Sequence, residues 1–247
     1  MQSHPTAFLH PGCGVRLVRA WLVLLSVWIV IGGPAADTAG PLILAAAGEG
    51  DLGGAAKADE MVRNASGRAE RWTSAPELLV IAQVLNYDAS GSGSYRATPD
   101  HLSGKEIQAL VDDLTGALRL FTGQAFEGFK AVRVEPAGSD EMVNVIRPDQ
   151  IVVARYRGLK ATEHTIGLGG RRVRRDGTIV SGSVMLDSEF DRTSGRRLLR
   201  THEFGHAMGF NHVVSRPSIM NARIGNEPTA VDRQIVRETY SRSTYDR

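Results

Sequence analysis

The residues with the clearest chemistry form one stretch, His202-Glu203-Phe204-Gly205-His206-Ala207-Met208-Gly209-Phe210-Asn211-His212. It reads H-E-x-x-H-x-x-G-x-x-H. On a helix, His202 and His206 stand one turn apart on the same face, close enough to share a metal ion. Gly209 ends that helix, because glycine adopts the left-handed conformation that other residues resist. The turn brings His212 back toward the same ion. Three neutral imidazoles leave the fourth position of a tetrahedral Zn²⁺ open to water, which is the pattern of a catalytic zinc site rather than a structural one. Glu203, beside the first ligand, is placed to take a proton from that water and deliver it to a leaving amine. Five fixed positions, three of them histidine, arise by chance in a chain of 247 residues with a probability on the order of 10⁻⁵.

At every fixed position the stretch resembles the zinc signature of the metzincin metallopeptidases. The resemblance implies a zinc-dependent endopeptidase with one catalytic ion on His202, His206 and His212 and with Glu203 as general base. Met220 follows His212 by eight positions. That is the short spacing of the matrixin branch, whose methionine sits in a tight turn beneath the zinc. In metzincins the strand before the active-site helix lies at the sheet edge over the cleft, so Ser181, Gly182, Ser183 and Val184 become the expected upper rim. Residues 217–224 then wall the pocket for the side chain after the cut, with Arg223 as a candidate to bias it. The likeness to matrixin catalytic domains spans about 76–240 and is specific over 202–220. The chain departs from that branch at Val213, where a serine is usual, and at Asn221-Ala222, where an aromatic and a proline are usual. Outside residues 1–36, only His101 and His164 remain besides the three ligands, so no set for a second zinc is present. No calcium site is legible. The alternative is a secreted, zinc-stabilised binding module without turnover, and Glu203 argues against it because such a module has no need of a carboxylate there.

The elements that must position these residues follow from patterning. Glu77 to Tyr87 is apolar and bounded by turn residues, as a buried strand is. Tyr87 to Asp100, rich in Gly, Ser and Asp, reads as a loop. Ser103-Gly104-Lys105-Glu106 is a capping box, and Ile107, Leu110, Val111, Leu114 and Leu118 continue it as a helix over 104–121 backing the sheet. Ala131–Glu135 and Ile151–Tyr156 are short strands. Arg171 to Gly177, with four basic residues beside Gly169-Gly170, reads as a solvated hairpin. Thr178 to Leu186 is a further strand. Asp191 to Ser194 supplies caps for an active-site helix from Gly195 to Met208, with Leu198, Leu199 and Phe204 on its buried side. Asp232 to Tyr240 closes the chain as a helix. The expected fold class is α+β, a metzincin-like domain over 76–247. It has a twisted, mostly parallel sheet of about five strands, a long backing helix, an active-site helix and a C-terminal helix.

Composition bounds the rest. Hydrophobic residues make up 42% and charged residues 23%, as in a globular domain, and a net charge of +2 argues for neither nucleic acid nor an anionic membrane as partner. The expected partner is a protein or peptide substrate. Arg16 and Arg19 precede an uncharged apolar run, Ala20 to Ile31, followed by small residues. Residues 1–36 therefore read as a signal peptide of a secreted protein, with an uncleaved membrane anchor over 20–36 as the alternative. The only cysteine, Cys13, precedes the run, so a processed chain has no disulfide and no cysteine to hold the zinc in a latent state. Residues 37–75 read as an Ala/Gly-rich linker or pro-segment, since ten of the fourteen residues from Ala45 to Ala58 are Ala or Gly.

Overall fold

Residues Glu77–Asn86 carry a near-continuous apolar run, and such a strand is stable only where both of its faces are covered. A computed structural model of the chain, describing residues 43–44, 60–62, 69–223 and 226–241, covers both. In this strand, β2 (Glu77–Asn86), Leu78, Val80 and Val84 face the helical core. Leu79, Ile81 and Leu85 face a second apolar cluster on the opposite side of the sheet. The alternation is the period of two that a pleated strand imposes.

The strands in chain order are β1 (Ile43–Leu44), β2, β3 (Ser94–His101), β4 (Ala131–Glu135), β5 (Met142–Asn144), β6 (Gln150–Arg157), β7 (Gly167–Val173) and β8 (Ile179–Asp187). Among the described residues they form one mixed sheet in the order β1-β7-β8-β6-β2-β3-β5, with β4 beside the first half of β2. The centre, β4-β2-β6-β8, is parallel, and antiparallel strands extend it on both sides. The fold is α+β with a parallel centre, as expected. It has eight strands rather than about five because short segments add at the margins. One of these, β3, lies where a loop is expected. Its buried Tyr95 and Ala97 alternate with exposed Arg96, and Leu85 pairs with Ala97 across the hairpin. The turn residues before it close that hairpin.

The helices are α1 (Gly104–Phe121), a short α2 (Leu159–Glu163), α3 (Arg196–Ala207) and α4 (Ala230–Ser241). The capping box at Ser103 and Glu106 forms in full. Hydrogen bonds from Ser103, then from Arg155, hold the Glu106 carboxyl down at about 2 against the opposing effect of partial burial. Helix α1 buries Leu110, Leu114, Ala117, Leu118 and Phe121 against the sheet and α3.

Asp191 does not cap α3, contrary to the sequence expectation; Gly195 is the N-cap and makes no side-chain cap bond. Asp191 is instead fully buried between two guanidinium groups. Its carboxylate accepts from Arg155 Nε at 2.6 Å and from Arg200 Nε and Nη2 at 2.6 and 2.7 Å. Arg155 also reaches Glu106 at 2.5 Å and Arg200 reaches Asp113 at 2.8 Å, so one ionic network joins β6, α1 and α3.

The domain starts earlier than Pro76. Met61 and Trp72 lie in the same core as the helices. Met61 O accepts from Asn211 N at 2.8 Å, and Trp72 Nε1 donates to Ala207 O at 3.0 Å. The segment before β2 thus packs against the end of α3 and the loop that follows it, which its alternating small and polar residues do not announce. The expected signal or anchor over 1–36 and most of the expected linker lie outside the described residues. No helix among the described residues is long and apolar enough to cross a membrane.

Candidate metal centre

Helix α3 presents His202 and His206 one turn apart, and the chain then reverses at Gly209, whose φ of +106° is open to glycine and strained for other residues. A side chain there would also collide with the carbonyl of Glu70. The reversal carries His212 back to the other two. His202 Nε2 lies 3.2 Å and His206 Nε2 3.1 Å from His212 Nε2.

The far nitrogens of the first two ligands are fixed. His202 Nδ1 donates to Ile219 O at 2.7 Å and His206 Nδ1 donates to Phe210 O at 2.8 Å. Those acceptors assign the proton to Nδ1 and leave each Nε2 with a bare lone pair aimed inward. His212 Nδ1 is buried with no protein partner, so its Nε2 is free to face the other two. Lone pairs this close repel unless a cation lies between them. Donor nitrogens about 2.0–2.1 Å from a tetrahedral ion are about 3.3–3.4 Å apart, close to the spacing seen. The three histidines therefore lie together as a group able to bind a metal ion. Burial keeps them uncharged: it lowers His202 to about 4, takes His206 well below its ordinary value and lowers His212 as well. Neutral imidazole is the form that binds metal.

Glu203 stands beside this group, 4% exposed. Burial pushes its carboxyl up to about 8, and the N–H of Gly169, donated to the carboxylate, opposes that shift. The partner strand is β7, packed directly on α3. Gly167 and Gly169 lie two apart and so share one face of β7. A Cβ on Gly169 would overlap the Glu203 carbonyl oxygen and lie 2.7 Å from His206 Cβ. One on Gly167 would lie 2.6 Å from Glu203 Oε1. Gly169→Ala is therefore expected to lower stability by about 1–3 kcal/mol, the usual cost of overpacking, and to weaken metal binding as α3 shifts. Thermal unfolding and metal titration check this; unchanged values in both would contradict the packing described.

Met220 is fully buried beneath the helix, and a Cβ on Gly205 would strike its sulfur and Phe121. The turn is pinned by Asp232 of α4. Its carboxylate accepts from Ser218 Oγ at 2.7 Å, Arg216 Nη1 at 2.6 Å, Ile219 N at 3.1 Å and Thr229 N at 2.9 Å. Burial works against the Asp232 charge, but these bonds hold its carboxyl below the usual carboxylate range. Because Ile219 O is the acceptor for His202, Asp232 orients a ligand through the turn.

Three expectations are corrected. Ser181, Gly182, Ser183 and Val184 lie in β8, which is bonded to β7 on one side and β6 on the other and has no open edge. Gly182 has a packing role: its missing side chain lets Ala207 of α3 and Ile151 close over it, with contacts of 3.2 and 3.0 Å for a Cβ there. The strand beside the histidines toward the sheet margin is β7. Second, Arg171 is not a solvated hairpin residue. It is 1% exposed, bonded to Glu70 at 2.5 Å, to the His206 carbonyl at 3.0 Å and to Asn211 Oδ1 at 2.9 Å, and so ties β7 to both ends of the ligand loop. Arg174 and Arg175 of that run are exposed as expected. Third, of the apolar residues assigned to the buried side of α3, Leu199 and Phe204 are fully buried while Leu198 is only half-buried. Arg223 is exposed, its backbone N–H held by Asn221 Oδ1 at 3.0 Å. Sequence reading missed Gly167, Gly169, Asp191 and Asp232 as positioning residues. Two glycines at strand spacing were the available signal for the first pair.

No protein-family model and no curated protein matches this chain.

Proposed function

We propose that the chain is a zinc-dependent endopeptidase of metzincin type, similar to the matrixin branch, acting on a protein or peptide outside the cytoplasm. One observation supports this above the rest: His202 Nε2 and His206 Nε2 each lie within 3.2 Å of His212 Nε2, and the buried Glu203 carboxylate beside them accepts from the Gly169 N–H. A structural metal has no use for a fixed carboxylate that is not a ligand. The donor set of three imidazoles suits zinc, which when bound polarises a carbonyl and lowers the pKa of a water toward about 7.

The chain's own residues supply the rest. His202, His206 and His212 hold the ion in their neutral forms. Glu203 takes the proton of the attacking water on its carboxylate and passes it to the leaving nitrogen, a role for which a group poised near neutral pH is suited. A cation held by the three histidines would draw its pKa down from about 8. Gly169 keeps the carboxylate aimed while the proton moves. A peptide substrate is placed along β7 by main-chain hydrogen bonds, as extended peptides add to sheet edges. Ile43–Leu44 pairs with Arg171 and Gly170 there, antiparallel, and a substrate strand on that stretch would take its place. Export by residues 1–36, or anchoring through 20–36, belongs to the same proposal.

The test is cleavage of a peptide library by the purified chain, with metal content measured in parallel. One zinc per chain and metal-dependent cleavage are the expected results. Zinc bound without cleavage of any peptide would favour the binding module, and no metal bound would end both readings.

A further inference from the structure

A cavity of about 490 Å³ opens between α1 and α4, away from the histidines. Its lining includes Gly116, Arg119, Leu120, Gly123, Arg233 and Arg237. Three of these side chains are guanidinium groups. Arg233 and Arg237 stand one turn apart on α4, where like charges repel. Arg119 is in the last turn of α1, its Nε donated to Glu127 O at 2.9 Å, so its fork is held in place. None of the three is ion-paired to a carboxylate among the described residues. The nearest acidic groups on the adjoining lining are engaged elsewhere: Asp113 with Arg200, Asp112 with Gln108 and Glu227 with Arg197.

A second observation is independent of the charge. Gly116 lies in the interior of α1, where glycine weakens a helix relative to alanine. Nothing lies within 4 Å of where its Cβ would be, and its φ is not positive, so neither packing nor backbone conformation in the protein requires glycine. What its missing side chain does is keep the cavity open. At the other end, Gly123 touches Arg237, whose backbone would lie 3.0 Å from a Cβ there, and this sets α4 close against the end of α1.

We infer that this cavity binds a small multivalent oxyanion, a molecule carrying phosphate or sulfate groups, through Arg119, Arg233 and Arg237. Guanidinium forks match the oxygens of such groups in pairs, and three of them around one space fit more than a single negative charge. The volume admits a sugar- or glycerol-sized body. The adjoining cavity of about 350 Å³ shares Gly116, Leu120 and Arg233 and reaches Thr201 of α3.

The test is calorimetric titration of the zinc-loaded full chain with two probes, glycerol 3-phosphate and a sulfated disaccharide. The probe that binds more tightly identifies the source of the oxyanion. Binding is expected to weaken as salt rises and to fall roughly tenfold per arginine removed in Arg233→Gln and Arg237→Gln. Gly116→Leu separates binding from folding: it is expected to keep or raise the Tm, since it removes a helical glycine, while blocking both probes. His212→Ala is expected to retain binding, because the site does not use the metal group. Binding of neither probe at millimolar concentration, affinity unchanged in Gly116→Leu and in the arginine variants, or loss in His212→Ala would each overturn the assignment. None of these outcomes depends on peptidase activity.

Discussion

Replacing Glu203 with Gln is expected to lower peptide cleavage by about 10²–10⁴-fold, the range that positioned proton transfer contributes, while one metal ion per chain stays bound. The substitution keeps the side-chain shape and retains an oxygen for the Gly169 N–H. It removes the basic oxygen that accepts the proton of the attacking water. The three imidazoles are untouched, and their inward nitrogens are oriented by Ile219 and Phe210, not by Glu203. A proton-transfer role therefore appears in kcat, with metal stoichiometry and Tm unchanged or slightly raised, since burial already penalises the charged carboxylate. Steady-state kinetics with metal analysis on the same samples is the measurement. If Glu203→Gln cleaves at the parental rate, the proposed mechanism is wrong even where the metal site is right. If metal is lost together with activity, Glu203 is a structural support of the triad and its chemical role remains to be assigned to another group.

The second large effect is on stability. Asp191→Ala is expected to destabilise the domain by about 3–5 kcal/mol, because it leaves two buried guanidinium groups without the carboxylate between them. Arg155 and Arg200 are each 1% exposed and together direct three nitrogens at Asp191. Each keeps a second partner, Glu106 and Asp113 respectively, but those carboxylates are partly open to solvent and compensate less. For a domain of this size, that loss lowers the Tm by roughly 6–20 °C. Thermal unfolding monitored by circular dichroism decides it. Arg200 lies in α3 two residues before His202, so metal release is expected to accompany the same transition. A Tm shift of only a degree or two would mean that water enters and solvates the freed arginines, and the network would then have no large part in holding α3.

The candidate site was legible in the sequence to the extent that it is local. Two ligands one helical turn apart, a glycine to end the helix and a third ligand three residues on are contained in eleven residues. Helix periodicity and the φ preference of glycine are enough to bring them together. The same holds for α1, where Ser103 and Glu106 announce the start and the apolar stripe announces the buried face. Met220 was singled out only through the family resemblance, and it is buried against Gly205 of α3.

What the sequence by itself determined is thus a set of short-range geometries: a helix and turn that gather three histidines, a carboxylate beside them, a capped backing helix and several apolar strands. The tertiary structure decided which strand lies against the ligands, and it chose β7 because only a glycine face at Gly167 and Gly169 lets a backbone approach α3 so closely. It decided that Asp191 joins three elements, that Asp232 holds the Met220 turn, and that Arg171 is buried against Glu70, 101 positions away. These roles depend on partners distant in sequence. A charged residue reads as a cap or a solvated face until folding brings its counter-ion beside it and removes the water from both.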